Sequence, residues 1–456
     1  MTLPAIGIAL SALNATQVEM DTVAENLANA QTPGYARQVA KLASVPGGSS
    51  TIGSGVTVAA VNIQASALLD GFAQSTSGQA GQAKALAQAL GDAQSVLGEP
   101  SPNGLQAQLS TFWSDWTAVG NQPTSLAARS SLIGAARQVV DQLHALAAGL
   151  SSTTSGTQAN LVNKVSLVNR QLAQMATLNR EVVAASGAAS GQHGLVEQQR
   201  ALATQLSGEI GANISATPEG SMNVRVGGFL LVQGTNASSL KVSGAGPATS
   251  VVLAGGGEPV PLTSGAVSGL VGALTGELPR WSAQLDQVAS KLAGAVNAQL
   301  AKGVSWSPLG SPSPPATSSA GVPLFVGATS AAAISLNPAV VADPALIAAG
   351  SSSAAGPANG ANAQALAALA NAASGPDAAW RSLVGEIGAA VQGAKAAESA
   401  TSTAATQAAA VASSTEGVNS NVALTHLVEY RQTYEAAGKV ISTAATMIDS
   451  LLSAVP

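Results

Sequence analysis

The sequence predicts a mainly α-helical protein with a β-rich insert: an elongated multi-domain rod whose N- and C-terminal helices pair as a coiled coil around nested, discontinuous domains. Three observations carry this prediction. Near the N-terminus Ile6, Leu13, Met20 and Leu27 fall on every seventh position, with Ala9, Thr16, Val23 and Ala30 interleaved at coiled-coil spacing. Near the C-terminus Leu427, Tyr434, Ile441, Ile448 and Val455 do the same, with Leu424, Gly438, Ala445 and Leu452 as companions. Between them, over 213–263, the apolar period falls from helical to two before helical texture returns. A lone helix would expose either ladder to water, so each needs a partner, and pairing one with the other brings the two ends of the sequence together.

The elements follow in order. The first helix must stop at Thr32-Pro33-Gly34-Tyr35, where Pro at the second and Gly at the third position suit a type II turn. From Val45 to Gln64 apolar residues alternate with small or polar ones, which predicts one or two extended segments; a helix resumes over Ala83–Leu97. Leu105, Leu109, Phe112, Trp116 and Val119 give a helix with an aromatic core face. Helices near 125–149 and 158–186 come next. The second carries Leu161, Val165, Val168, Leu172, Met175 and Val182, broken once by Asn179, which either fixes register or faces solvent. Another helix spans about Leu195–Ile210, bearing Leu202 and Leu206.

Val224 and Val226 then alternate with polar neighbours, Gly227-Gly228 makes a two-residue hairpin turn, and Phe229–Val232 continues the sheet. Leu240–Val242, Val251–Leu253 and Val260–Leu262 are further short strands. Pro279 suits the first position of a helix whose buried face is Trp281, Leu285, Val288, Leu292, Val296 and Leu300. Residues 303–323, rich in Pro and Ser, form a loop; 324–350 hold a strand or two; 350–360 suit a hinge. Helix then runs from Ala361 to the end, interrupted at Gly375-Pro376 and Gly417. The domain assignment that follows is 1–64 with 413–456 as the terminal coiled-coil unit, 65–212 with 264–302 and 361–412 as a helical bundle, and 213–263, with 303–360 as an open addition, as a small outer β-rich unit.

Composition narrows the function. Length allows sizeable cores, since the chain has 456 residues. Charged residues are only 9%, and the positive mean hydropathy of +0.29 comes from alanine, so no stretch has the density of a membrane-spanning helix. The start lacks a secretory signal peptide. Net charge is −5 and the 18 Lys and Arg are scattered, which gives no basic stripe for nucleic acid. The absence of cysteine removes disulfides, thiolate metal sites and cysteine nucleophiles together, and suits a chain that crosses between redox compartments.

No catalytic, cofactor-binding or metal-ligating residue is assigned. The histidines, His144, His193 and His426, lie far apart with no partner at ligand spacing. Gly255-Gly256-Gly257-Glu258 lacks the Lys-Ser/Thr and helix of a phosphate loop and is a β-turn. Asp115 sits among Phe112, Trp113 and Trp116, which suit a core better than a sugar platform. Glu197, Arg200 and Glu209 read as a solvated helix face.

Ser11-Ala12-Leu13-Asn14-Ala15-Thr16-Gln17 and Asn26–Gln38, containing Asn26, Asn29, Pro33, Gly34, Tyr35 and Arg37, resemble the N-terminal motif of bacterial flagellar rod, hook and hook-associated axial proteins. Asn419–Leu452, centred on Tyr430–Ala436, resembles their C-terminal helix. Leu109–Trp113, Asn121–Pro123, Ala128–Leu132, Val224–Val232, Leu278–Gln299, Asn337-Pro338 and Asp343-Pro344 resemble the FlgK family of flagellar hook-associated proteins in particular. Two departures stand out: Ser420–Ala423 replaces an acidic stretch, and Ile63-Gln64 lacks the usual basic residue.

The resemblance implies a structural, non-enzymatic axial protein without a cofactor. It implies export through the flagellar type III apparatus without a cleaved signal peptide and an extracellular place at the hook–filament junction. Implied partners are further copies of the chain in a ring or helical assembly, the hook protein, the next junction protein, and an export chaperone at the C-terminal helix; membrane and nucleic acid are not among them. Another axial subunit (hook or distal rod), a secreted helical adhesin and a cell-wall hydrolase or protease are the competing readings. The terminal ladders would stay disordered in the monomer, since lone helices of that length are marginal in water, and would fold on assembly.

Overall fold

In the computed structural model, residues 2–32, 35–47, 53–185, 189–305, 321–352 and 356–454 are described; the turn at Pro33-Gly34, most of the Pro/Ser-rich 303–323 segment, part of 350–360, and Val455 lie outside them. The first ladder forms helix α1 (Thr2–Ala28). It leads into an antiparallel hairpin of β1 (Gln38–Val45) and β2 (Gly55–Ile63), whose register shifts between Lys41 and Leu42. The extended segment thus begins seven residues before the predicted Val45, hidden because its apolar Val39 and Leu42 face out while polar Gln38 is buried.

Helix α2 (Ala67–Leu97) starts well ahead of the predicted Ala83, capped by Ser66, whose side chain accepts from the Leu69 amide. Its first half, rich in Ser, Thr and Gly, has no apolar stripe because small residues are what its close neighbours admit. Helix α3 (Leu105–Asn121) is as expected, with Phe112, Trp113 and Trp116 buried. The two helices predicted near 125–149 and 158–186 are one, α4 (Leu126–Ala184), 59 residues long and so about 88 Å from end to end. Ser151–Gly156 does not break it, because Thr154 and Thr157 return their hydroxyls to the carbonyls of Leu150 and Thr153. Helix α5 (Ala189–Ile210) runs back along α4.

The β-rich insert holds β3 (Asn213–Ala216), β4 (Met222–Val226), β5 (Phe229–Gln233) and β6 (Asn236–Ala237) in one antiparallel sheet, in that order. A separate hairpin pairs β7 (Leu240–Ser243) with β8 (Ser250–Leu253). Gly227 and Gly228 turn with φ of 53° and 91°, the signature of the tight hairpin predicted there. No strand forms over Val260–Leu262; Pro259 makes only an isolated bridge to Val252. Asn179 settles its two readings: it is fully buried, holding Met222 through both backbone groups, the Gly234 carbonyl, and the Gln199 amide.

Pro279 stands in the first turn of a helix, but that helix continues an upstream run. A helical run begins at α6 (Ala266–Gly272), widens into a π-turn over Ala273–Glu277 and continues as α7 (Leu278–Leu300). A proline ring clashes with the carbonyl four residues back in a regular helix, and the wider turn just before it relieves that clash. Two short strands, β9 (Phe325–Val326) and β10 (Ser335–Leu336), pair antiparallel before α8 (Pro338–Ala342). The hinge predicted at 350–360 is tied down at its ends, where Gly350 bridges Val304 and the Gly360 backbone lies against Gly120. Helix α9 (Ala361–Ala367), α10 (Pro376–Glu416) and α11 (Ser420–Ser453) complete the chain, broken at Gly375-Pro376 and Gly417 as the sequence requires.

One contiguous core joins α2–α7, α9, α10 and the β insert, with Trp116, Trp281, Trp380, Phe112 and Phe325 its largest buried side chains. Arg129, also buried, is satisfied by the carbonyls of Pro123, Pro344, Ala345 and Ile347, stapling the 344–347 turn to the start of α4. The molecule is elongated: its accessible surface is 22115 Å², against roughly 15,500 Å² for a compact monomer of its mass. Among the described residues, no helix is long and apolar enough to cross a membrane.

Candidate functional site

At one end of this body α1 and α11 lie side by side with the β1–β2 hairpin against α1. They run antiparallel: Glu19 lies near His426 and Tyr430, while Ala5 shares a hollow with Val440 and Met447. On α1 the ladder residues Ile6, Leu13, Met20 and Leu27 are half-buried, and Ala9, Thr16 and Val23 between them are buried. On α11 Leu427, Ile441 and Ile448 are half-buried and Tyr434 is more exposed.

The companion positions on α11 differ from those predicted. Leu424 and Leu452 are 48% and 67% exposed, and Ala445 is exposed; Ala423, Tyr430, Ala437 and Ala444 face inward instead. The seam therefore steps 423, 427, 430, 434, 437, 441, 444, 448, one residue off the predicted companions. Choosing the larger apolar residue misled the prediction, because two helices with alanine between them approach closely and bulky leucine is displaced outward.

The motif residues build the corner between α1 and the hairpin. Asn26 is buried; its side chain donates to the Gln38 carbonyl at 2.8 Å and accepts from the Gln38 amide at 2.7 Å and the Tyr35 hydroxyl at 3.0 Å. One amide side chain thus completes the first step of β1 in place of a neighbouring strand. Burial, with the carboxylates of Glu197 and Glu25 nearby, pushes the Tyr35 hydroxyl up to about 12, so it stays a proton donor throughout the neutral range. Asn29 ties back to Glu25 through that residue's carbonyl and carboxylate. Asn14 is exposed, and Pro33 and Gly34 lie outside the described residues. Arg37 has an exposed side chain and works through its backbone, donating to the Glu416 carbonyl and accepting from Gln64. Ser11 holds the far end of the hairpin by accepting the Val56 amide. It lies so close to Gly55, where φ is 105°, that a side chain there would overlap it.

Residues that the sequence did not single out complete the site. Arg200, read as part of a solvated face, is largely buried and pairs with Asp70 and Glu416; Glu209 pairs with Lys164. Burial and the nearby Glu25 raise the Glu197 carboxyl, with Arg200 and Gln38 opposing. The available signal was an Arg three residues after a Glu on a helix with an apolar face, a pattern that fits a surface pair as well as a buried one. His144 bonds the Ile334 carbonyl, His426 meets Glu429 and stacks on Tyr430, and the His193 side chain is outside what is described. Among the described residues no group of three His, Asp or Glu could hold a metal ion.

Outside its seam the pair carries a second apolar flank. Val440 and Met447 are 48% and 54% exposed and, with Ala5, Ala436 and Ala444, line an open, mainly apolar hollow of about 750 Å³. Leu10, Leu424 and Val428 are exposed elsewhere on the same two helices. Isolated exposed leucines are ordinary; here Leu424 with Val428, and Val440 with Met447, lie at helical spacing along α11.

Residues 90–312 match the family described as flagellar hook-associated protein FlgK helical domain. Residues 6–35 match the flagella basal body rod protein family, and 412–454 the flagellar basal body rod FlgEFG protein C-terminal family. Flagellar hook-associated protein 1 of Salmonella typhimurium is 28% identical over 313 residues, 65% of this chain and 56% of that protein. The protein of the same name in Bacillus subtilis is 28% identical over 47% of this chain and 46% of its own length. The chain spans about half the length of the curated relatives it matches. A solved structure described as the flagellar hook junction protein FlgK from Burkholderia pseudomallei superimposes with a TM-score of 0.62 at 16% identity, over 75% of this chain and 98% of that one, which establishes a shared fold.

Proposed function

The chain belongs to the FlgK family of flagellar hook-associated proteins, and from that premise we propose that it is a structural axial subunit of the bacterial flagellum that joins hook to filament by self-assembly. The observation that carries this is the terminal pair: α1 and α11 bury alanines fully but their large apolar ladder residues only partly, and leave a second apolar flank on the pair. Alanine buries little area, so the pair gains less than leucine ladders would, at roughly 25 cal/mol per Å². The outer flank is where neighbouring copies supply the rest.

We propose further that the inward stripes form a regular coiled-coil seam. We propose with it the division expected from sequence: 1–64 with 413–456, a helical bundle of 65–212, 264–302 and 361–412, and a β-rich unit of 213–263, with 303–360 as an open addition. In support, the chain passes between the terminal pair and the body at two segments, near Gln64–Ser66 and Glu416–Ser420. Partners under this reading are further copies of the chain, the hook protein and the next junction protein, with an export chaperone on α11 before assembly. Passage is through the flagellar type III apparatus as an unfolded chain, and the working place is the outside of the cell. No catalytic step is assigned to it. Gold-labelled antibody on isolated hook–filament preparations tests the reading: label at the hook–filament boundary is expected, and label along the hook or rod alone, or none on the flagellum, contradicts it.

A further inference from the structure

Both crossings of the neck meet at one carboxylate. Glu416 ends α10 with its side chain only 7% exposed; one oxygen accepts the Ser66 amide at 2.7 Å and the other accepts Nη2 of Arg200 at 2.5 Å. Its carbonyl accepts the Arg37 amide at 2.7 Å, which carries the connection into the hairpin. The same Nη2 of Arg200 reaches Asp70 in the first turn of α2 at 2.7 Å. One guanidinium from α5 therefore holds the start of α2 and the end of α10, the two places where the chain leaves the body.

Large apolar side chains beside this point face solvent. Leu68 and Phe72, beside Asp70 on α2, are 81% and 53% exposed, and Val411 on α10 is 45% exposed. The aromatic core around Trp380 lies 36 residues up α10, about 54 Å away along the helix. Arg200 also has unused capacity: its Nε and Nη1 are buried without a hydrogen-bond partner, and one oxygen of Glu197, a turn back on α5, is likewise buried and unpaired. The guanidinium thus has a second carboxylate beside it on its own helix, one that also bonds Gln38 of β1.

We propose that Arg200 is the positioning residue of the neck: with Asp70 and Glu416 it clamps the two chain exits together and fixes the direction in which the terminal pair leaves the body. Release of the clamp, with Arg200 turned to Glu197, lets the pair swing. Its use in load transfer rests on the axial reading above; the clamp itself does not.

Hydrogen exchange on the full-length protein tests the clamp. In Arg200→Gln, amides of 66–72 and 412–417 exchange about tenfold faster or more, while those around Trp116 and Trp281 are unchanged. Arg200→Lys, which keeps the charge, restores most of the protection. Glu197→Gln, which removes the competing charge, leaves the neck at least as protected as in the unaltered chain. Unaltered neck exchange in Arg200→Gln, equal loosening of neck and core, or loosening by Glu197→Gln overturns the proposal. Should Arg200→Gln fail to fold, Glu416→Gln, which keeps the acceptor for Ser66 and gives up the charge, decides by the same comparison. In cells, a deletion strain that keeps its filaments refutes the axial reading. A deletion strain that loses them, fully restored by Arg200→Gln even in viscous medium, refutes the clamp's mechanical role.

Discussion

Asn179 has no exposed surface, and both ends of its side-chain amide are used on the β insert and on Gln199. Asn179→Leu fills the space but strands the Met222 amide and two carbonyls, and an unsatisfied buried backbone group is costly. The expected loss is about 2–4 kcal/mol, read by urea unfolding, with the Met222 amide losing its exchange protection first. Asp377 gives a pH test. It is buried against Trp113, whose indole N–H donates to it at 2.7 Å, and burial raises its carboxyl despite that bond, Gln106 and Arg381. A raised carboxyl means that the folded chain binds the proton more readily than the unfolded one, so this group's contribution falls as pH rises from the ordinary aspartate range through its folded value. Asp377→Asn keeps an acceptor for Trp113 and removes that slope; thermal unfolding between pH 4 and 8 checks it, with a flatter profile and no loss of stability at pH 7 expected. In the sequence, Asn179 was visible as an interruption in an apolar stripe, whereas Asp377, just inside a helix start, looked like an ordinary N-terminal acid.

Elements whose apolar residues are large were legible: α3 from its aromatics, α7 from its stripe, the β4–β5 hairpin from Gly227-Gly228. Elements packed through small residues were not. The first half of α2 lies so close to α5 that a side chain on Gly81 would overlap the Gly208 carbonyl, and no hydrophobic periodicity records a crossing made of glycine and serine. Gly81→Val is expected to push α2 off α5 and cost roughly 1–3 kcal/mol, seen as a lower midpoint in urea at unchanged slope. The same reasoning explains the seam on α11, where alanines sit inside and leucines outside, and the unbroken α4, whose polar middle satisfies itself within the helix.

At the scale of the molecule, the terminal pair was the most legible feature in sequence and is the least buried in structure. The long-range ties at the neck were illegible because charges that meet from helices more than a hundred residues apart leave no local pattern. With the large side chains between α1 and α11 only half-buried, roughly the first 40 and last 40 residues are expected to be protease-labile in dilute monomer while a core near 65–410 resists. Arg37 and Arg431, both with exposed side chains, are the sites to follow by limited trypsin digestion and mass mapping; protection of either in the monomer would count against folding on assembly.

The most direct test of the joining role is Ile441→Asp. Ile441 stands half-buried on the face of α11 turned to α1, between Ala437 and Ala444. A carboxylate there is either buried unpaired, at a cost of several kcal/mol, or forced to take up a proton. If the chain is exported unfolded as proposed, export does not sense the change, but the seam does. In a strain carrying only this variant, fractionation and electron microscopy are expected to show normal secretion, the variant free in the medium, hooks without filaments, and filament subunits leaking unpolymerised. Normal motility with filaments attached would mean that the terminal pair is not the joining seam.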